Sequence, residues 1–140
     1  MAIFGTGKVG DGTFYDSING DEMTAIVREM GFVPELSKDN QGDPVVWFQI
    51  EGLKCAIFFY EKAGDRYKSV QFFAGFADKI PLEKVNEWSQ KKRYSRVYAN
   101  DEGHARIEYD LPLAGGVRKE YIVEAIGRWR RLMLSFTGAL

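Results

Sequence analysis

Histidine and cysteine, on which much metal and nucleophilic chemistry depends, occur once each in this chain, as His104 and Cys55. A single cysteine excludes an intramolecular disulfide, and without a second histidine or thiolate a soft structural metal site has too few ligands. Charge of one sign is also lacking: 19 basic and 20 acidic residues leave a net charge of −1. Such a balance does not advertise a nucleic-acid or membrane surface as partner. No apolar run approaches the length of a membrane span. The opening MAIFGTGKVGDGTFYDS has no basic segment followed by an apolar one, so no signal peptide is expected and the reading is cytoplasmic, in a reducing compartment.

What is present is enough for one well-packed domain: 140 residues, 45% of them apolar and 14% aromatic. Residues 1–17, with Gly5, Gly7, Gly10 and Gly12, read as a flexible glycine-rich lead-in that Phe4, Phe14 and Tyr15 pin to the body. Residues 18–137 read as the domain. Asn19 followed by Glu22 is a capping box, Ile18 and Met23 stand where a hydrophobic staple needs them, and Gly31 closes the helix. Strands are expected at Phe32–Ser37, Val45–Glu51, Leu53–Tyr60 and Tyr67–Ala77, punctuated by the 39–43 turn, Gly52 and Gly64–Asp65.

A second helix is expected over Pro81–Lys92, with Leu82, Val85 and Trp88 on one face. A hairpin over Tyr94–Asn100 and His104–Leu111 follows. It places Val97, Ala99, Ala105, Ile107 and Tyr109 on one side, and Arg96, Arg106, Glu108 and Asp110 on the other. Gly115–Gly116 breaks the chain before a last helix, Val117–Phe136, whose Ile122, Ile126, Trp129, Met133 and Phe136 form one stripe. Gly127 within it suggests close packing. The order α-β-β-β-β-α-β-β-α with hairpin-sized loops predicts an α+β fold, a largely antiparallel sheet with helices on one face.

Motifs of chemistry are thin. GTGKVGDG lacks the P-loop spacing, because Val9 follows Lys8, and it has no preceding strand. Cys55 within CAIFF reads as a core thiol. Asp39 with Asp43, and Asp101 with Glu102, read as turn residues, and Glu108 and Asp110 as partners of Arg96. No catalytic, cofactor or metal site is expected, and the chain does not read as an enzyme. Two alternatives stay open: a small enzyme using a cleft near His104, and a weak nucleic-acid binder through Lys91–Arg96 and Arg128–Arg131. The slight negative charge argues against the second. Trp47, Phe48, Phe58, Phe59, Tyr60, Phe72 and Phe73 cannot all face one side of their strands. Either both faces of the sheet are covered or a partner surface remains, with Trp47, Phe58, Tyr60 and Phe73 as its candidates.

An ordered set of features spans about residues 20–137. It begins with Asp43–Pro44 before a strand and VQFFAGF. Val85–Asn86–Glu87–Trp88 and Lys92–Arg93–Tyr94 follow, then Ala99, Asp101 and Gly103 at the hairpin turn, and Glu108, Asp110 and Leu111. Gly115–Gly116–Val117, Trp129 and Phe136 complete it. It resembles the YbjN family of bacterial sensory transduction regulators, with Ser89 where that family tends to have asparagine. The resemblance implies a fold similar to type III secretion chaperones, which dimerise and hold extended partner segments. It supplies no catalytic residues and points to a protein-binding or regulatory module, a homodimer with a further protein partner. Its signature residues here are Asn86, Trp88, Asp110, Gly115, Gly116 and Trp129. Asn86, beside Val85 and Trp88, is expected to bond a neighbouring loop backbone.

Overall fold

The capping box forms as expected. The computed structural model, which describes residues 12–140, starts helix α1 (Gly20–Glu29) at Asn19. The Asn19 side chain accepts the Glu22 N–H at 2.8 Å, and the Glu22 carboxylate accepts the Asn19 N–H at 3.0 Å. Ile18 and Met23 are both fully buried, and Gly31 takes φ +95° after the helix end.

Six strands follow the order β2–β3–β4–β5–β7–β6 across one antiparallel sheet: β2 (Glu35–Lys38), β3 (Pro44–Ile50), β4 (Leu53–Ala63), β5 (Arg66–Lys79), β6 (Arg96–Ala99) and β7 (His104–Pro112). Helix α2 (Leu82–Lys91) links β5 to β6 and packs against β6. A separate two-stranded ladder pairs β1 (Phe14–Tyr15) with β8 (Val117–Arg118), and α3 (Lys119–Ala139) ends the chain.

Several boundaries move, each for a physical reason. The first sheet strand begins at Glu35 rather than Phe32, because Pro34 lacks the N–H a ladder needs. Phe32 packs instead against Phe48, with ring centroids 5.3 Å apart. The β4–β5 hairpin runs to Ala63 and restarts at Arg66, leaving only Gly64–Asp65 to turn. The hairpin strand after α2 begins at Arg96, because Tyr94 sits at φ +72°. The last helix begins at Lys119, not Val117. Gly115 and Gly116, at φ +95° and +94°, turn the chain so that Val117–Arg118 pairs with Phe14–Tyr15. The short β1 and β8 have no pattern long enough to read in sequence.

Part of the expected lead-in, residues 1–11, lies outside the described residues. From Thr13 onward the segment is tied down. The Thr13 carbonyl accepts the Lys119 N–H, and Ile18 exchanges backbone bonds with Tyr67 at 2.9 Å each. Arg66 donates to the Ser17 hydroxyl, the Ser17 carbonyl and the Glu22 carboxylate at 2.8–2.9 Å.

The core lies between the sheet and the helices α1 and α3. Val46, Phe48, Ile57, Phe59, Val70, Phe72, Ile107 and Leu111 meet Met23, Ile26, Ile122, Ile126, Trp129 and Met133 there. Trp129 is fully buried and stacks on Phe72, with centroids 5.7 Å apart and ring planes within 23°. Helix α2 is more peripheral than its apolar spacing suggests. Trp88 is buried, but Leu82 is 74% exposed, because α2 covers only the sheet edge.

Gly127 does not permit a close approach. A methyl group there would meet nothing nearer than the Arg131 guanidinium at 3.7 Å, an ordinary contact. Gly127→Ala should therefore raise the unfolding free energy by about 0.5–1 kcal/mol through helix propensity alone. Trp129→Ala, which empties the stacked site against Phe72, should cost about 3–5 kcal/mol. Urea unfolding of the two variants against wild type measures both.

Candidate functional site

Among the described residues no helix lies on one face of the sheet, and strand alternation decides what stands on it. Core-facing Phe48, Cys55, Phe59 and Phe72 are interleaved with outward Trp47, Ala56, Phe58 and Phe73. The register sets these outward residues in rows across the strands. One row reads Trp47, Ala56, Phe73, Glu108, Arg96; the next reads Val45, Phe58, Gln71, Asp110; on the other side lie Gly75, Arg106 and Tyr98.

The centre of this face is apolar. Trp47 and Phe58 meet edge to face at 6.4 Å, and Phe58 and Phe73 at 5.5 Å. Ala56, between Trp47 and Phe73, is fully buried although it points away from the helices. Trp47, Phe58 and Phe73 keep part of their surface in solvent, and Tyr60 is 50% exposed. All four candidates for a partner surface thus stand on the helix-free side, three of them as one ring cluster.

Beside the rings runs a polar network. Arg96 donates to Glu108, which is only 8% exposed, and reaches Asp110 at 3.2 Å. Tyr98 donates its hydroxyl to the second Glu108 oxygen at 2.7 Å, and Gln71 donates to Asp110 at 2.8 Å. Burial, and then the bond to Glu108, push the Tyr98 phenol up to about 12. Each acceptor of Glu108 has a donor, which is the condition for placing a carboxylate here.

Across the rings from the Asp110 end lies a cleft of about 420 Å³ walled by Trp47, Phe73 and Phe76 and by Lys54, His104 and Arg106. A β-bulge opens it: between the pairs Gly75–Arg106 and Lys79–His104 the register shifts, so residues 76–78 of β5 oppose only Ala105. Gly75 lies close beneath the Arg106 side chain. A side chain on it would come within 3.1 Å of the Arg106 guanidinium, which lies across it and donates to the Phe76 carbonyl. Lys54 stands over the Trp47 ring at 4.6 Å. Lys54 and Gly75 were not expected at this surface. The signal was available, because both share strand parity with outward neighbours.

The chain matches a family model over residues 19–140; the family, YbjN, carries the description "Putative bacterial sensory transduction regulator". The chain belongs to the YbjN family. No curated protein and no solved structure matches it.

The signature residues of this YbjN-family chain do not converge on one site. Trp88 is buried and donates its indole N–H to the Ser95 hydroxyl at 2.9 Å, fastening α2 to the approach to β6. Asn86 is exposed and makes no side-chain hydrogen bond among the described residues, so the fastening expected of it is done by Trp88. Asp110 belongs to the open face, Gly115 and Gly116 to the turn before β8, and Trp129 to the core.

The two basic clusters touch at one point, where Arg93 and Arg128 lie over the Tyr94 ring at 4.8 and 4.5 Å. Of their other members, Lys91 pairs with Glu87, Arg96 with Glu108 and Asp110, and Arg130 with Glu51, while Lys92 lies over the Trp88 ring. His104 Nδ1 lies 4.0 Å from Glu102. Among the described residues no three histidine, cysteine or acidic side chains are placed to hold a metal ion.

Cys55 faces the core side of β4 and is fully buried. Burial drives its pKa from 9.0 up to about 12, with a smaller opposing effect from the Trp129 side chain. The folded chain therefore holds a proton that the unfolded chain releases above pH 9, and stability must fall as pH rises from about 9 to 12. Tyr67 and Tyr98, both pushed from 10.0 to about 12, add to the loss above pH 10. Chemical denaturation across this range should show the decline, and Cys55→Ala should flatten its pH 9–10 part. In native protein at pH 8 a thiol reagent should leave Cys55 unmodified until denaturant is added.

Proposed function

We propose that this YbjN-family chain is a non-catalytic regulator that acts by binding protein through the open face of its sheet. The carrying observation is the Trp47–Phe58–Phe73 ring cluster, partly exposed on a face that no helix among the described residues covers. Clustered aromatic rings beside a satisfied polar network have the composition of a contact surface: a few large anchors with a polar rim. The family description, a sensory transduction regulator, supports the same reading. So does the secretion-chaperone fold that the family resemblance implies, since those proteins dimerise and hold extended segments.

The competing readings have less support. An enzyme near His104 would need a second group in hydrogen-bond reach, and its nearest ion-pair partner, Glu102, stands 4.0 Å away. The buried Cys55 thiol is held protonated. A nucleic-acid surface would need its cations unpaired on one face, whereas Lys91, Arg96 and Arg130 are tied to carboxylates and Lys92, Arg93 and Arg128 lie over aromatic rings.

The double variant Phe58→Ser/Phe73→Ser tests the proposal in the bacterium that carries the chain. It should fold, by circular dichroism and cooperative urea unfolding, and lose a protein that co-purifies stoichiometrically with wild type. That protein, once purified, should bind wild type at least tenfold more tightly than the variant. Equal recovery and equal affinity for the two forms would remove the open face from the function.

A further inference from the structure

The cleft beside the ring cluster is charged in one sense only. Among the described residues Lys54, His104 and Arg106 line it and no acidic residue does, in a chain whose net charge is −1. His104 has Glu102 at 4.0 Å from its Nδ1, but neither Lys54 nor Arg106 has a carboxylate partner among the described residues. The groove between α2 and the end of α3 makes the contrast. Its lysines are engaged: Lys84 donates to the Ala139 carbonyl, Lys91 pairs with Glu87, and Lys92 lies over the Trp88 ring.

Local geometry places the two uncompensated charges. Gly75 is paired with Arg106, and its lack of a side chain leaves a gap in the outward row that the Arg106 guanidinium crosses. The Arg106 Nη1 donates to the Phe76 and Ala105 carbonyls at 3.1 and 2.9 Å. Its Nε and Nη2 make no hydrogen bond among the described residues. Those two nitrogens form the side-on fork of a guanidinium, whose spacing matches the two oxygens of a carboxylate. Lys54 stands 4.6 Å from the Trp47 ring centroid, and Trp47 and Phe73 supply an apolar wall next to the cations.

We propose that this cleft binds a small aromatic carboxylate, its carboxylate on the Arg106 fork beside Lys54 and its flat ring against Trp47 and Phe73. Two cations beside an apolar wall suit one anionic group on an apolar body. A sugar phosphate would instead set its hydroxyls against the two rings, where they find no partner. The volume, about 420 Å³, is that of a small-molecule site. The site uses the cleft alone, so it stands apart from the reading of the ring cluster as a protein contact.

Nuclear magnetic resonance of the isotope-labelled full chain, titrated with 2-naphthoate, tests the site. The amide signals of Lys54, Gly75 and Arg106 and the Arg106 Nε–H signal should move, with a Kd below about 1 mM. Naphthalene-2-carboxamide lacks the charge, acetate lacks the ring, and inorganic phosphate lacks the apolar body. Each should bind at least tenfold more weakly. Lys54→Gln should weaken 2-naphthoate at least fivefold, and so should Arg106→Lys, which keeps the charge and loses the fork. Phe58→Ser lies outside the cleft lining and should bind it as wild type does. Circular dichroism checks folding; should Arg106→Lys fail to fold, the exposed Lys54→Gln carries the test. No saturable binding of 2-naphthoate, equal binding of any of the three controls, or signals that move elsewhere overturns the proposal. So does undiminished binding by the folded cleft variants, or its loss in Phe58→Ser. N-acetylphenylalanine carries the groups of a protein's aromatic carboxyl terminus. If it binds more tightly than 2-naphthoate, the cleft belongs to a protein end and the free-acid proposal falls. Failure of the acid site leaves the protein-contact reading to its own test, in which Phe58 takes part and the cleft cations do not.

Discussion

Trp129 stacked on Phe72 is the contact on which the rest of this architecture depends. It joins the longest helix to the middle of the sheet, and both side chains are fully buried. Around it α3 places Ile122, Ile126 and Met133 over β5 and β7, and α1 adds Met23, Ile26 and Val27 beside them. The remaining ties are local and polar. Lys119, at the start of α3, donates to Glu29 at the end of α1 at 2.7 Å, and Arg66 anchors the residues before α1. Because α1 and α3 gather on the same side, the sheet's second side keeps its own side chains in view of solvent.

That second side is built differently from the core. Apart from the Cys55 thiol, the core along β4, β5 and β7 is filled by aliphatic and aromatic residues. The open side alternates rings with a hydrogen-bonded ionic network and a cleft lined by cations. Glu108 shows the difference. It is nearly as buried as a core residue, but Arg96, Tyr98 and Gln71 converge on it. A buried carboxylate of that kind fixes the positions of β5, β6 and β7 relative to one another and so keeps the face rigid. A rigid, partly apolar face loses little conformational entropy on docking, which favours a contact surface over a flexible one.

Much of the fold was legible in the residues because local physics decides it. Asn19 with Glu22 can only start a helix well, glycines at 31, 115 and 116 accept positive φ, and the stripe of α3 from Ile122 to Phe136 keeps its period for about four turns. The alternation of Val97 and Ala99 with Arg96, and of Ile107 with Glu108, places each hairpin side chain on its correct face. Where the reading went astray, a neighbour distant in sequence had decided. Val117–Arg118 left the helix to pair with Phe14–Tyr15, Leu82 stayed exposed because α2 sits at the edge, and Asn86 gave way to Trp88.

By itself, then, the sequence determined the element order, the antiparallel pairing of strands joined by short turns, the core stripe of α3 and the two-sided character of the middle strands. These follow from periodicity, caps and turns, which act over a few residues. The tertiary structure alone decided which side of the sheet the helices cover. It thereby decided that Trp47, Phe58 and Phe73 are the uncovered rings, while Phe48, Phe59 and Phe72 are core. Strand parity separates the two sets but treats them alike. Only the packing of α1 and α3, through Trp129, breaks that symmetry. The bulge after Gly75, which brings Arg106 and His104 to one cleft with Lys54, is likewise a property of the paired strands and of neither strand alone.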